Sequence, residues 1–151
     1  MAKTWKASDI AKLGLKTNLQ ESVKSEALFV SIKLPFTMPG LNGDDGLMRQ
    51  HWSEIEKTKK VLNAYIIQQC KGIKFLGKVN VTYTRYAFQL MDWDNHCASF
   101  KHIGDSLVDC GILIDDKPEV IENFIPKQVK VKRSEDFYTT IFIEKYYEDK
   151  L

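Results

Sequence analysis

Two short acidic stretches carry the residues best suited to chemistry. Met91-Asp92-Trp93-Asp94-Asn95 holds two aspartates two positions apart, and Ile114-Asp115-Asp116 follows further along the chain. In an extended segment, side chains at i and i+2 point the same way. Asp92 and Asp94 are therefore expected at the end of a strand, facing one cation, with Trp93 turned to the other side. Close carboxylates repel and raise one another's pKa. A divalent cation removes that conflict. Taken alone, the pair is also what a solvated turn contains.

The residues that follow add to it. Phe100, Ile103, Leu107 and Cys110 recur at helical spacing, and Gly111 sits where a C-terminal cap belongs. If that helix begins early, Lys101 lies nearly two turns beyond Asp94 on the same face, and Asp105 lies one turn beyond Lys101. A lysine above a carboxylate-bound cation can contact a phosphate and stabilise developing charge. The plainer alternative is an i,i+4 surface pair with Asp105. The apolar run Gly111-Ile112-Leu113-Ile114 then predicts a buried segment that delivers Asp115 and Asp116 to an edge; its plainer alternative is a turn continued by Lys117-Pro118.

Charge is segregated in the same sense. The net charge is only +2. Residues 49–85 carry +6, from Arg49, Lys57, Lys59, Lys60, Lys71, Lys74, Lys78 and Arg85 against Glu54 and Glu56. Residues 86–122 carry −6, and residues 127–133 add Lys127, Lys130, Lys132 and Arg133 without an acid. An acidic centre between basic segments suits a metal-dependent enzyme acting on a polyanion, with carboxylates for the cation and cationic side chains for phosphates.

Other chemistries have less support. Cys70, Cys97 and Cys110 are odd in number and widely spaced, so they are read as buried or half-buried free thiols. His51, His96 and His102 form no HxH or HExxH pattern and are expected in surface or partly packed roles. No phosphate-binding glycine loop or GxSxG motif is present. No apolar run approaches the roughly 20 residues of a membrane span. The N-terminal Met1 to Lys6 lacks the apolar core of a signal peptide. The expected location is the cytoplasm, with no membrane partner.

These residues need a scaffold. A chain of 151 residues, 44% hydrophobic, can bury one sizeable core. Residues 1–26 read as a polar extension, with a short helix from Ser8 through Leu13 ended by Gly14. Residues 28–34 alternate as a strand, and Pro35 to Gly46 must be a loop that includes the Asn42-Gly43 pair. Residues 49–71 predict a helix with Trp52, Ile55, Leu62 and Ile66 on one face. Val79, Val81 and Tyr83 begin a second strand. Residues 128–133 and 137–144 alternate as two more, and Ser134-Glu135-Asp136 is expected to join them as a hairpin. The order is β-α-β-α-β-β, an α+β (mixed α/β) single domain over residues 27–151.

The series Asp92-x-Asp94-Asn95, Lys101, Asp105, Leu107, Gly111 and Asp115-Asp116 resembles the RusA family of Holliday-junction resolvases, particularly its phage and prophage members. The resemblance runs from about residue 28 to 145. Five residues, His96 to Phe100, separate Asn95 from Lys101, a longer gap than in the founding pattern, and Met91 stands where the family often has a basic residue. The resemblance implies a Mg²⁺-dependent endonuclease acting as a homodimer on branched DNA. It implies metal binding by Asp92, Asp94 and Asp116 and an essential basic role for Lys101, with Asp115, Asn95 and Asp105 in support. Arg49, Lys57, Lys59, Lys60, Lys127, Lys130, Lys132 and Arg133 are the expected DNA contacts. Two rivals remain: a non-catalytic DNA-binding protein whose acids are structural, and a nuclease for flapped DNA or RNA.

Overall fold

The computed structural model describes residues 26–42 and 46–148; the expected helix from Ser8 to Leu13, and Gly43 of the Asn-Gly pair, lie outside the described residues. The described chain forms a four-stranded mixed sheet with helices packed on it, an α+β single domain.

Strand β1 (Phe29–Leu34) buries alternate residues Val30, Ile32 and Leu34. The period-2 pattern turns those three toward the helices. A loop and a short 3-10 turn (Leu47–Arg49) lead to helix α1 (Trp52–Gln69). His51 caps α1, its Nδ1 accepting the Ser53 N–H at 3.3 Å. Helix α1 buries Leu62, Asn63 and Ile66. Trp52, expected on that apolar face, is instead 70% exposed, because the first turn of α1 extends past the core.

Strand β2 (Val79–Ala87) runs into the Asp motif, followed by two helices, α2 (Trp93–Ser99) and α3 (Lys101–Asp109). Strands β3 (Ile121–Lys130) and β4 (Tyr138–Lys145) complete the sheet in the order β1-β4-β2-β3. One apolar cluster joins Ile32, Val81, Tyr83, Ile141 and Ile143 of the sheet to Leu62, Ile66, Ile103 and Leu107 of the helices.

The expected hairpin of the last two strands is not formed. β4 pairs antiparallel with both β1 and β2, whereas β3 pairs parallel with β2 from Val79↔Ile121 to Ala87↔Lys130. Alternation identifies strands but not their partners. Here α2 and α3 form the crossover of a parallel unit, which seats β3 at the sheet edge. β4, with Thr139, Ile141 and Ile143 buried, takes the interior position. The edge also explains Pro126 within β3, since an edge strand tolerates a missing donor. Among the described residues, no helix is long and apolar enough to cross a membrane.

Candidate active site

Asp92 does not end a strand. It is the N-cap residue of α2, and Asp94 lies in the first helical turn. The i, i+2 argument for a shared strand face therefore fails. Both instead sit at a helix start, whose positive dipole end favours acidic side chains. Asp92 makes no side-chain capping hydrogen bond, so its carboxylate is not spent on the helix. Asp94 Oδ1 accepts the adjacent Asn95 N–H, at 2.9 Å. Both residues are exposed.

The backbone around them is fixed from three other places. Gln128 on β3 accepts the Met91 N–H at 2.8 Å and donates to the Met91 carbonyl at 2.9 Å. Arg85 on β2 donates to the Gln89 carbonyl at 2.6 Å. Asn95 Oδ1 accepts the N–H groups of Leu41 and Asn42, at 3.1 and 3.4 Å, which ties the loop after β1 to α2. Gly40 in that loop leaves no room for a side chain, since a Cβ there would lie 2.9 Å from Met91 Cε and 3.1 Å from Asn95 Cβ. Asn95 thus acts through the loop. The sequence does not mark Gln128, which falls in the polar phase of the alternation with Lys130 and Lys132.

The helix after the motif breaks at Phe100. Ser99 Oγ donates to the His96 carbonyl and is bonded in turn to the Tyr83 hydroxyl at 2.7 Å, while the Phe100 N–H reaches back only to Cys97. A hydroxyl that captures a helix carbonyl competes with the i→i−4 ladder and bends it. The face shared by Asp94 and Lys101 is thereby lost, because they belong to separate helices. Burial pushes the Tyr83 phenol up to about 12, so it stays protonated and able to donate.

Lys101 opens α3 with its side chain 68% exposed. Its ammonium lies 3.6 Å from Asp105 Oδ2, and Lys59 from α1 approaches the same oxygen at 3.5 Å. Helix α3 ends in a Schellman motif at Gly111 (φ 75°), with Ile112 N–H bonded to the Leu107 carbonyl and Gly111 N–H to that of Val108. That turn buries Ile112 and Leu113 and carries Asp115 and Asp116 out to the surface; Ile114, expected in the buried run, is 56% exposed, because the chain has already left the core there. Asp116 lies over α3, where a Cβ on Gly104 would sit 3.6 Å from its Oδ2 and 3.3 Å from the Phe100 ring. Asp115 Oδ1 accepts the Asp116 N–H at 2.7 Å, which, aided by Lys117 at 3.4 Å, holds its carboxyl below the ordinary value.

The chain thus brings Asp116 to α3 beside Phe100 and Gly104, and joins Lys101, Asp105 and Lys59 around one oxygen. Asp92 stands at the opposite end of α2, eight residues and about 12 Å of helical rise before Phe100. Among the described residues, no three His, Cys, Asp or Glu side chains form a group that could hold a metal ion. The donor chemistry of Asp92, Asp94 and Asp116 nevertheless fits a hard divalent cation: exposed carboxylates only, one of them without a capping bond.

The expected DNA contacts are dispersed. Lys57 and Lys59, two apart on α1, point roughly 200° from each other. Lys57 lines a shallow cleft with Phe36, Met38, Pro39 and Val61, while Lys59 turns to α3. Lys60 is half-buried, and Arg49 lies in the 3-10 turn. Lys127 and Lys130 are on β3; Lys130 and Arg133 lie over the Phe88 ring at 5.7 and 4.7 Å, and Lys132 follows β3, exposed.

The thiols and imidazoles depart partly from expectation. Burial pushes Cys70 and Cys110 up to about 12, as for inert thiols, but Cys97 is exposed on α2. His96 is fully buried and stacked on Tyr83 at 4.5 Å, its ring facing the Tyr83 and Lys127 carbonyls without hydrogen bonds of good geometry. His102 is also buried, and burial, then Lys59, pushes its pKa down. Compared with protein-family models and with curated proteins, the chain matches none.

Proposed function

We propose that this chain is a metal-dependent endonuclease that hydrolyses phosphodiesters in branched DNA, four-way junctions foremost. The observation that carries the reading is the start of α2. Gln128, Arg85 and Asn95 fix the backbone there, while the carboxylates of Asp92 and Asp94 are left exposed, that of Asp92 without a capping bond. A fold that pins the backbone carrying two exposed acids suits a ligand of high positive charge. The series continues with Lys101 and Asp115-Asp116, the same series on which the resolvase resemblance rests.

In this reading Asp92, Asp94 and Asp116 are the carboxylates that would ligate Mg²⁺, with Mn²⁺ as a substitute. Bound there, the cation would polarise the phosphate and lower the pKa of a water. Lys101 stabilises charge on the phosphate, and basic residues of α1 and β3 hold the DNA arms. A symmetric junction has two scissile strands, which suits a twofold dimer.

The test is a cleavage panel. Junction, flap, duplex and RNA substrates are incubated with the full chain, with Mg²⁺ or with chelator. Mg²⁺-dependent nicking of the junction above duplex and RNA is the expected result. Tight junction binding without nicking in Mg²⁺ or Mn²⁺ would favour the non-catalytic DNA-binding protein, and preference for flaps or RNA would reassign the substrate.

A further inference from the structure

Lys59 and Lys101 come from different helices, yet both ammonium groups approach one atom, Asp105 Oδ2, at 3.5 and 3.6 Å. Their surroundings differ. The Lys59 side chain is 22% exposed and that of Asp105 26%, whereas Lys101 is 68% exposed. One carboxylate cannot neutralise two ammonium groups. The surplus positive charge belongs to the more exposed partner, because the more buried pair is less screened by solvent and salt. Lys101 also shares α3 with Gly104, three residues on, over which the Asp116 carboxylate lies. His102, buried beside this cluster, is pushed toward its neutral form, so it adds no further cation.

We propose that Asp105 is a positioning residue: anchored by Lys59, it aims the Lys101 ammonium toward the phosphate. Lys59 then belongs to this relay and not to the DNA-contacting surface. A lysine side chain on an exposed helix face has wide rotamer freedom. A carboxylate one turn away, itself tethered from α1, narrows that freedom while leaving the ammonium's remaining N–H bonds for a substrate oxygen. The inference rests on the endonuclease reading.

The experiment has two arms, both on the full chain. In the first, Asp105→Asn lowers single-turnover junction cleavage about tenfold, the lower end of what outer partners of functional groups contribute. Junction affinity is unchanged, and Asp105→Glu recovers part of the rate. Lys101→Ala costs clearly less in the Asp105→Asn background than in the wild type, because the two act as a unit. In the second, junction binding is titrated with salt in chelator. Lys57→Met flattens the salt slope by about one phosphate contact, and Lys59→Met leaves it unchanged. Wild-type rates for Asp105→Asn, additive losses with Lys101→Ala, or a flattened slope for Lys59→Met would each overturn the role. A wild-type chain that cleaves no substrate removes the endonuclease reading and this role with it. A wild-type chain that cleaves, with an equally active Asp105→Asn, removes this role alone.

Discussion

The two acidic stations are held in different ways. At the start of α2, the backbone around Asp92 and Asp94 is pinned by the side chains of Arg85 from β2 and Gln128 from β3, and by backbone N–H groups of the loop after β1 that bond to Asn95. At Asp115-Asp116 the contacts are local: a bond between adjacent residues, a pair with Lys117, and a turn closed by Val120 N–H on the Lys117 carbonyl. The first station is fixed by the tertiary fold. The second is delivered by a helix cap and steered by the space that Gly104 leaves. Damage to the first should therefore travel from distant residues, and damage to the second should come from α3.

The largest effect expected at this junction of helices is that of Lys101→Ala. A group stabilising transition-state charge is worth roughly a hundredfold in rate, so single-turnover cleavage should fall by about that factor with little change in melting temperature. Lys101→Arg should rescue only partly, because a planar fork does not reproduce a compact ammonium. Cleavage within about threefold of wild type, well short of that estimate, would withdraw the lysine and leave the aspartates.

Gln128→Leu comes next. It removes two bonds to Met91, about 2 kcal/mol in all, and should slow cleavage about tenfold although Gln128 touches no substrate. An unchanged rate beside a lowered melting temperature would show that β3 does not position the first station. Gly104→Val tests the second station: its methyl groups need the space beside the Asp116 carboxylate and the Phe100 ring. Cleavage should fall further than stability does, as read by rate against urea midpoint. Asp115→Ala should cost less than any of these, since its ion pair with exposed Lys117 is screened by solvent.

The smallest effect concerns pH. Burial holds His102 below its ordinary value in the folded chain, so the unfolded chain binds its proton more readily. The contribution of His102 to stability is whole above the ordinary histidine value of about 6.5 and declines as pH falls below it. Thermal melts between pH 7.5 and 5 should show that decline, and His102→Gln should make it shallower.

Local patterns were legible in the sequence where the cause is local. Alternation in Val30, Ile32 and Leu34 set the buried face of β1, and Gly111 marked the end of α3 because only glycine enters that left-handed turn cheaply. The apolar run Gly111 to Ile114 foretold a buried segment ending in acids, which holds for Ile112 and Leu113 but not for exposed Ile114. What was not legible depends on partners far along the chain. The break at Phe100 needs the hydroxyl of Tyr83, the position of Met91 needs the amide of Gln128, and β4 enters the sheet between β1 and β2 instead of folding back on β3. The three lysines of α1 looked like one patch by count, yet helical geometry divides them.

The most direct measurement of the endonuclease reading takes Asp92→Asn, Asp94→Asn and Asp116→Asn through one pair of assays: junction cleavage in Mg²⁺ and junction binding in chelator. Each variant should lose cleavage while binding as tightly as the wild type or more tightly, because each removes a negative charge that opposes the polyanion. Near-normal cleavage by any two of them would contradict a three-aspartate metal site.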